Sequence, residues 1–195
     1  MQGRRKTVYH VLATVGWAWT RSARTYKNRV LIRMNVLFIC SANVSRSFLA
    51  EMLLRHEAEI RKLDNVSVSS AGIYAYPGNP PDPVMVDHLE KQGMSVPIHE
   101  SRQVSTEDIA WADLILVMEQ AHAQDLEVRW PEAKGKTEFL GRYISAGPDA
   151  DDIVDPFGKP PYYYRLAQSQ IALALRALIE RILAGPQEEE NCFTS

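Results

Sequence analysis

Cys40 and Arg46 frame the segment Cys40-Ser41-Ala42-Asn43-Val44-Ser45-Arg46-Ser47, and their types and spacing suit the capture of an oxyanion. The preceding Val36-Leu37-Phe38-Ile39 is a continuous apolar run of the kind a buried parallel strand makes. A helical pattern follows from Ser47. The segment therefore lies between a strand's carboxyl end and a helix's amino end. Successive backbone N–H groups of a tight loop point inward there, and the helix dipole adds positive potential. The guanidinium of Arg46 can bind two phosphate oxygens in a planar fork, which lysine cannot copy. The same field favours the thiolate of Cys40, and the thiolate is the nucleophile. Ser47 could donate to that thiolate and stay its partner when it leaves. The competing reading is a buried core cysteine at a strand end beside a surface arginine. A lone Cys-x5-Arg does not separate the two; the strand–loop–helix context favours the anion site.

Positioning such a loop requires alternating strands and helices, and the chain reads that way. Ser47 to Leu63 is helical, with Leu49, Met52, Leu53, His56 and Ile60 on one face. Val66-Ser67-Val68-Ser69 alternates as a second strand and ends at Gly72. Tyr74 to Pro83 is a loop, Pro83 to Gln92 a helix stopped by Gly93, and Ser105-Thr106-Glu107-Asp108 a capping box that opens a short helix. Asp113 to Met118, with the apolar run Leu114-Ile115-Leu116-Val117, is the third strand, Glu119 to Trp130 a helix, and Thr137 to Leu140 a short fourth strand. Gly147 to Pro161 is a long loop with four aspartates, followed by a helix from Tyr162 to Leu183. The expected fold is α/β: a four-stranded parallel sheet with helices on both faces and a phosphate-binding loop after the first strand. Ligand sites in such folds lie beyond the strands' carboxyl ends. Asp149, Asp151, Asp152 and Asp155 lack EF-hand spacing, so a solvated acidic loop is the better reading than a calcium site.

The 195 residues are 46% hydrophobic and 24% charged, enough for one domain with its own core. Two cysteines exclude a disulfide scaffold or a four-cysteine zinc site and point to a reducing, cytoplasmic setting. A formal charge of −2 argues against a whole-protein grip on nucleic acid, and no run approaches the roughly 20 apolar residues of a membrane span. Charge is uneven, however. Residues 1–33 carry eight basic residues and no acidic one, leaving 14 basic against 24 acidic residues in 34–195, a formal −10. This basic extension, with an apolar patch from Val11 to Trp19, reads as a targeting segment, a peripheral arm, or a start assigned too early. It is expected to be poorly ordered or non-native. Residues 34–185 form the expected domain, and 186–195, with Cys192, a disordered tail.

Val36 to His56 resembles the signature of the low-molecular-weight protein tyrosine phosphatase family. Ser69-Ser70-Ala71-Gly72, Gly78-Asn79-Pro80, His99-Glu100-Ser101-Arg102-Gln103, Leu114 to Glu119 and Asp155-Pro156-Phe157 extend the resemblance in colinear order from about Met34 to Leu183. Val117 to Gly141 is most similar to the bacterial branch, whose members partner tyrosine autokinases. The resemblance implies hydrolysis of phosphotyrosine without metal or cofactor, through a phosphocysteine on Cys40. It implies that Arg46 and loop residues Ser41, Ala42, Asn43, Val44, Ser45 and Ser47 bind the phosphoryl group. Asp155 would be the proton donor; it alone of the four aspartates precedes proline. Asn43 would hold the loop, with Ser70 and His99 bonding its side chain, although an ordinary surface histidine is an equal reading of His99. Tyr74, Tyr76 and Phe157 would form an aromatic rim. Tyr162, Tyr163 and Tyr164 read as packing or as phosphorylation sites.

Three positions depart from the family's usual pattern. Ala42 stands where many members have glycine, which matters if that residue needs positive φ. Ser45 replaces a second cysteine, so no vicinal disulfide protects Cys40. Phe48 replaces a helix-opening proline. Rival functions are an arsenate reductase, for which only Cys192 is left to pass electrons, and a phosphate-binding module without turnover. Phosphoarginine is an alternative substrate; members with that preference carry threonine where Val44 stands.

Overall fold

The computed structural model describes residues 23–26, 29–144 and 152–184. Two strands, β1 (Ala23–Tyr26) and β2 (Arg29–Ile32), pair antiparallel, with Ala23 opposite Ile32. They fall in the basic extension, ahead of the four-stranded sheet; residues 1–22 and 185–195 lie outside the described residues. The domain follows as β3 (Met34–Cys40), α1 (Arg46–Ile60), β4 (Val66–Gly72), α2 (Pro83–Lys91), α3 (Thr106–Trp111), β5 (Leu114–Val117), α4 (Gln120–Arg129), β6 (Thr137–Phe139) and α5 (Pro161–Ala184).

The sheet is four-stranded and parallel throughout, in the order β4-β3-β5-β6. Every residue of β3 is buried, because both its faces are covered. Met34, Val36, Phe38 and Cys40 point into the core shared with α1, α2 and α5. Leu37 and Ile39 point into a second core with Ile109 of α3 and Ala123 and Leu126 of α4. The period of two thus feeds two cores, and every position of β3 is apolar except Asn35, whose buried side-chain amide donates to the Trp111 carbonyl at 2.9 Å. The chain leaves β3 for β4 on one side and returns to β5 on the other. Beyond the carboxyl ends of β3 and β5 this reversal opens a crevice. Cys40 and Glu119 stand at its two sides.

The first helix differs from its expected outline. It begins at Arg46 and ends at Ile60, and Ile60 is 62% exposed rather than on the buried face. Its first seven residues are all buried. The helix is enclosed at its amino end and emerges into solvent toward its carboxyl end, where only Leu54 and Ala58 stay buried and Ile60 falls outside their stripe. The capping box is present: Ser105 Oγ accepts from the Asp108 N–H, and the Asp108 carboxylate accepts from the Ser105 N–H. No helix among the described residues is long and apolar enough to cross a membrane.

Candidate active site

Cys40 ends β3 and is buried. Its Sγ lies 3.0 Å from Ser47 Oγ and 3.3 Å from the backbone N of Asn43, which donates to it. Ser47 already accepts from Asn43 Nδ2 at 3.1 Å, so its own proton is free to donate to the sulfur. The loop from Ser41 to Ser45 therefore curls over the thiol before α1 begins.

The backbone strain of the loop falls on one residue. Asn43 has φ +58°, the left-handed region that asparagine tolerates better than most. Ala42 is exposed and has no such φ, so alanine carries no penalty there. Every polar group of Asn43 is engaged. Nδ2 also donates to Ser70 Oγ at 2.8 Å, Oδ1 accepts from the Arg102 N–H at 3.1 Å, and the backbone carbonyl accepts from His99 Nε2 at 2.9 Å. The expected support is corrected in one respect: His99 bonds the backbone of Asn43, and the side-chain oxygen is taken by the Arg102 amide. The reason is the chain path, since Gln103 forms a parallel bridge with Gly72 and presents the 99–103 stretch along the end of β4. Ser70 in turn donates to Glu51 Oε2 at 2.5 Å, so a relay runs Glu51–Ser70–Asn43–Ser47–Cys40.

Phe48 is fully buried, and its ring lies 4.7 Å from that of His99. The aromatic that replaces proline thus braces the histidine holding the loop. Gly72 permits the close approach of loop and sheet: a Cβ there would lie 2.6 Å from the Ser41 carbonyl oxygen and 2.9 Å from the Asn43 nitrogen. Ser45 is buried, and its Oγ has no hydrogen-bond partner among the described residues.

Arg46 is 2% exposed, and its guanidinium spans the crevice. Nη1 donates to the Ile153 carbonyl at 2.9 Å and to the Glu119 carboxylate; Nη2 lies 3.2 Å from Asp155 Oδ2. Cys40, Arg46 and Asp155 are therefore brought together from positions up to 115 residues apart. The loop with Asp155 reaches the site because Ile153 is pinned on both sides, its N–H donating to the Met118 carbonyl at 2.8 Å.

Glu119 and His122 escape a reading of the sequence. His122 is buried, with Nε2 2.9 Å from Ser41 Oγ and 4.0 Å from Glu119 Oε1. Burial lowers its pKa, outweighing the attraction of Glu119, so the ring is neutral at pH 7. The available signal was positional: Glu119 follows β5 at the sheet's reversal point.

The rim residues are exposed: Tyr74 by 55%, Tyr76 by 78% and Phe157 by 64%. The backbone N–H of Tyr74 donates to the Ser41 carbonyl at 2.9 Å, which seats it beside the loop. Its hydroxyl donates to Asp125 at 2.5 Å, and Arg129 lies over its ring at 4.7 Å. Phe157 follows Asp155 by two residues, and the Tyr76 carbonyl accepts from Ser101 Oγ at 2.6 Å.

Residues 35–187 match the family model described as low molecular weight phosphotyrosine protein phosphatase. A protein-arginine-phosphatase of Geobacillus stearothermophilus is 37% identical over 155 residues, covering 80% of this chain and 97% of that protein. A probable low molecular weight protein-tyrosine-phosphatase, EpsP, of Ralstonia nicotianae is 34% identical over 149 residues, covering 76% and 96%. A mutant YwlE arginine phosphatase with a phosphorylated active-site serine superposes with a TM-score of 0.72 at 28% identity, covering 78% of this chain and 97% of that one. With its matching sheet and its cysteine–arginine loop, this chain belongs to the low-molecular-weight protein tyrosine phosphatase family.

Proposed function

We infer that this chain hydrolyses phosphotyrosine in proteins, with Cys40 as nucleophile, Arg46 as phosphoryl clamp and Asp155 as proton donor. One observation carries the reading: the Cys40 sulfur receives hydrogen bonds at the floor of a loop whose arginine lies 3.2 Å from Asp155. In the first step Cys40 thiolate attacks phosphorus, the bond to the tyrosine oxygen breaks, and Asp155 delivers the proton to that oxygen. Arg46 and the loop N–H groups hold the phosphoryl oxygens as charge moves. In the second step water attacks the phosphocysteine, Asp155 takes its proton, and the Cys40 thiolate leaves with the Ser47 hydroxyl as partner. One water is consumed, and phosphate is released. The phosphorylated active-site serine of the YwlE mutant structure supports a phosphoenzyme at this position.

Proteins bearing phosphotyrosine are the substrates in this reading, with the tail of a bacterial tyrosine autokinase as the candidate partner. A reducing cytoplasm suits the Cys40 thiol, since Ser45 gives it no neighbouring sulfur. Phosphoarginine is the second reading, favoured by the names of the arginine phosphatases similar to this chain. Val44 weighs against it, because a half-buried branched apolar side chain on the loop suits an aromatic ring better than a guanidinium.

The test is hydrolysis of p-nitrophenyl phosphate, phosphotyrosine peptide and phosphoarginine peptide, with chelator throughout. Cys40→Ser is expected to fall to background on all three. Asp155→Asn is expected to lose about 10²–10⁴-fold on phosphotyrosine. A higher kcat/KM for phosphoarginine than for phosphotyrosine would transfer the assignment to the second reading. Turnover that survives Cys40→Ser would overturn both.

A further inference from the structure

A phosphoryl group taken into the fork of Arg46 competes with Asp155 for the same N–H groups. The ion pair between Arg46 and Asp155 cannot then be what aims the carboxyl at the leaving oxygen. The chain supplies a second anchor. Asp155 Oδ1 accepts from the Phe157 N–H at 3.3 Å, the Lys159 N–H donates to the Pro156 carbonyl at 2.9 Å, and Gly158 closes the turn with φ +70°. Tyr164 stands in the first turn of α5, which follows this turn directly, and the Tyr163 N–H donates back to the Pro160 carbonyl at 3.0 Å. The Tyr164 hydroxyl donates to Asp82 Oδ2 at 2.9 Å.

Asp82 is itself tied to the phosphate loop. It is 5% exposed and caps α2, with Oδ1 accepting from the Val84 N–H at 2.9 Å. Its backbone N–H donates to the Val44 carbonyl at 2.8 Å. One hydroxyl and one buried carboxylate therefore join the acid turn, α5, α2 and the phosphate loop. Burial, and then the bond to Asp82, raises the Tyr164 phenol above its ordinary value, so it stays a donor across the neutral range.

We propose that Tyr164 is a positioning residue for proton donation, setting through Asp82 the distance between the turn that carries Asp155 and the phosphate loop. This rests on Asp155 being the acid, and that dependence shapes the test. A misplaced proton donor harms substrates with poor leaving groups and largely spares good ones. A role in folding or phosphate binding harms both alike.

The experiment compares kcat/KM for phenyl phosphate and p-nitrophenyl phosphate in wild type, Tyr164→Phe, Asp82→Asn and Asp155→Asn, with inhibition by inorganic phosphate as the readout of loop integrity. Tyr164→Phe is expected to lower the phenyl-to-nitrophenyl ratio about ten- to a hundredfold, with phosphate inhibition unchanged. Asp82→Asn keeps a capping oxygen and is expected to move the ratio the same way by less; it carries the test if Tyr164→Phe does not fold. An unchanged ratio in both, beside a lowered ratio in Asp155→Asn, overturns the role of Tyr164. Equal loss on both substrates, or weakened phosphate inhibition, overturns it in favour of a purely structural role. An unchanged ratio in Asp155→Asn removes the acid assignment itself.

Discussion

Asn43 concentrates the demands that the site makes on single residues. Its φ of +58° turns the loop, its amide reaches the sulfur, and its side chain links Ser47 to Ser70. Gly72 matters for the opposite reason, because it contributes nothing where any atom would collide. Gly72→Ala is expected to destabilise the protein by about 1–3 kcal/mol and to raise KM for p-nitrophenyl phosphate, read from denaturant unfolding and steady-state kinetics. His122 makes a prediction about pH. It faces Glu119, Arg46, Asp125 and Asp152, and burial still leaves its pKa lowered from 6.5. The unfolded chain therefore binds the proton first as pH falls, and stability present above about pH 6.5 declines toward the folded-state pKa. His122→Gln, which can keep the bond to Ser41, should flatten the loss of Tm between pH 7 and 5. An unchanged slope would place the acid sensitivity elsewhere.

At the scale of elements, the site depends on where helices start. α1 opens on the phosphate loop, α2 on Asp82 and α5 just after the acid turn, so three amino termini meet the crevice. The short α3 plays a supporting part. Its capping box holds Asp108, which also accepts from Arg102 Nη1 at 2.6 Å, and the Arg102 amide supports Asn43. Ser105→Ala is expected to cost about 1 kcal/mol, lowering Tm by about 2–4 °C with kcat kept within about twofold. A larger loss of kcat than of stability would show that the cap governs the loop through Arg102.

Over the whole molecule, charge is segregated. Residues 34–195 carry a formal −10, so basic, tyrosine-rich tails should be drawn to the body. Dephosphorylation of a basic phosphotyrosine peptide is expected to slow several-fold in kcat/KM between low salt and 0.5 M salt, while p-nitrophenyl phosphate responds less. Equal responses would show that the body does not steer its substrate.

The chemistry of this protein is local in the sequence, and its control is not. Cys40 to Ser47 is one unbroken segment between a strand and a helix, so nucleophile, clamp and helix dipole could be read together. The two-faced β3 and the capping box were equally legible, because an apolar run and a side-chain cap are signals within a few residues. Glu119, His122, Glu51 and the Tyr164–Asp82 bridge were not, since each acts through partners 19 to 82 residues away. A glutamate after a strand reads the same whether it meets solvent or an arginine. Ala42 shows the converse: only the backbone path decided that Asn43, rather than its neighbour, takes the left-handed turn. The sequence determined which groups could react, through types and spacing. The tertiary structure decided which carboxylates reach Arg46, because that depends on the sheet's reversal and on loops folded back across it.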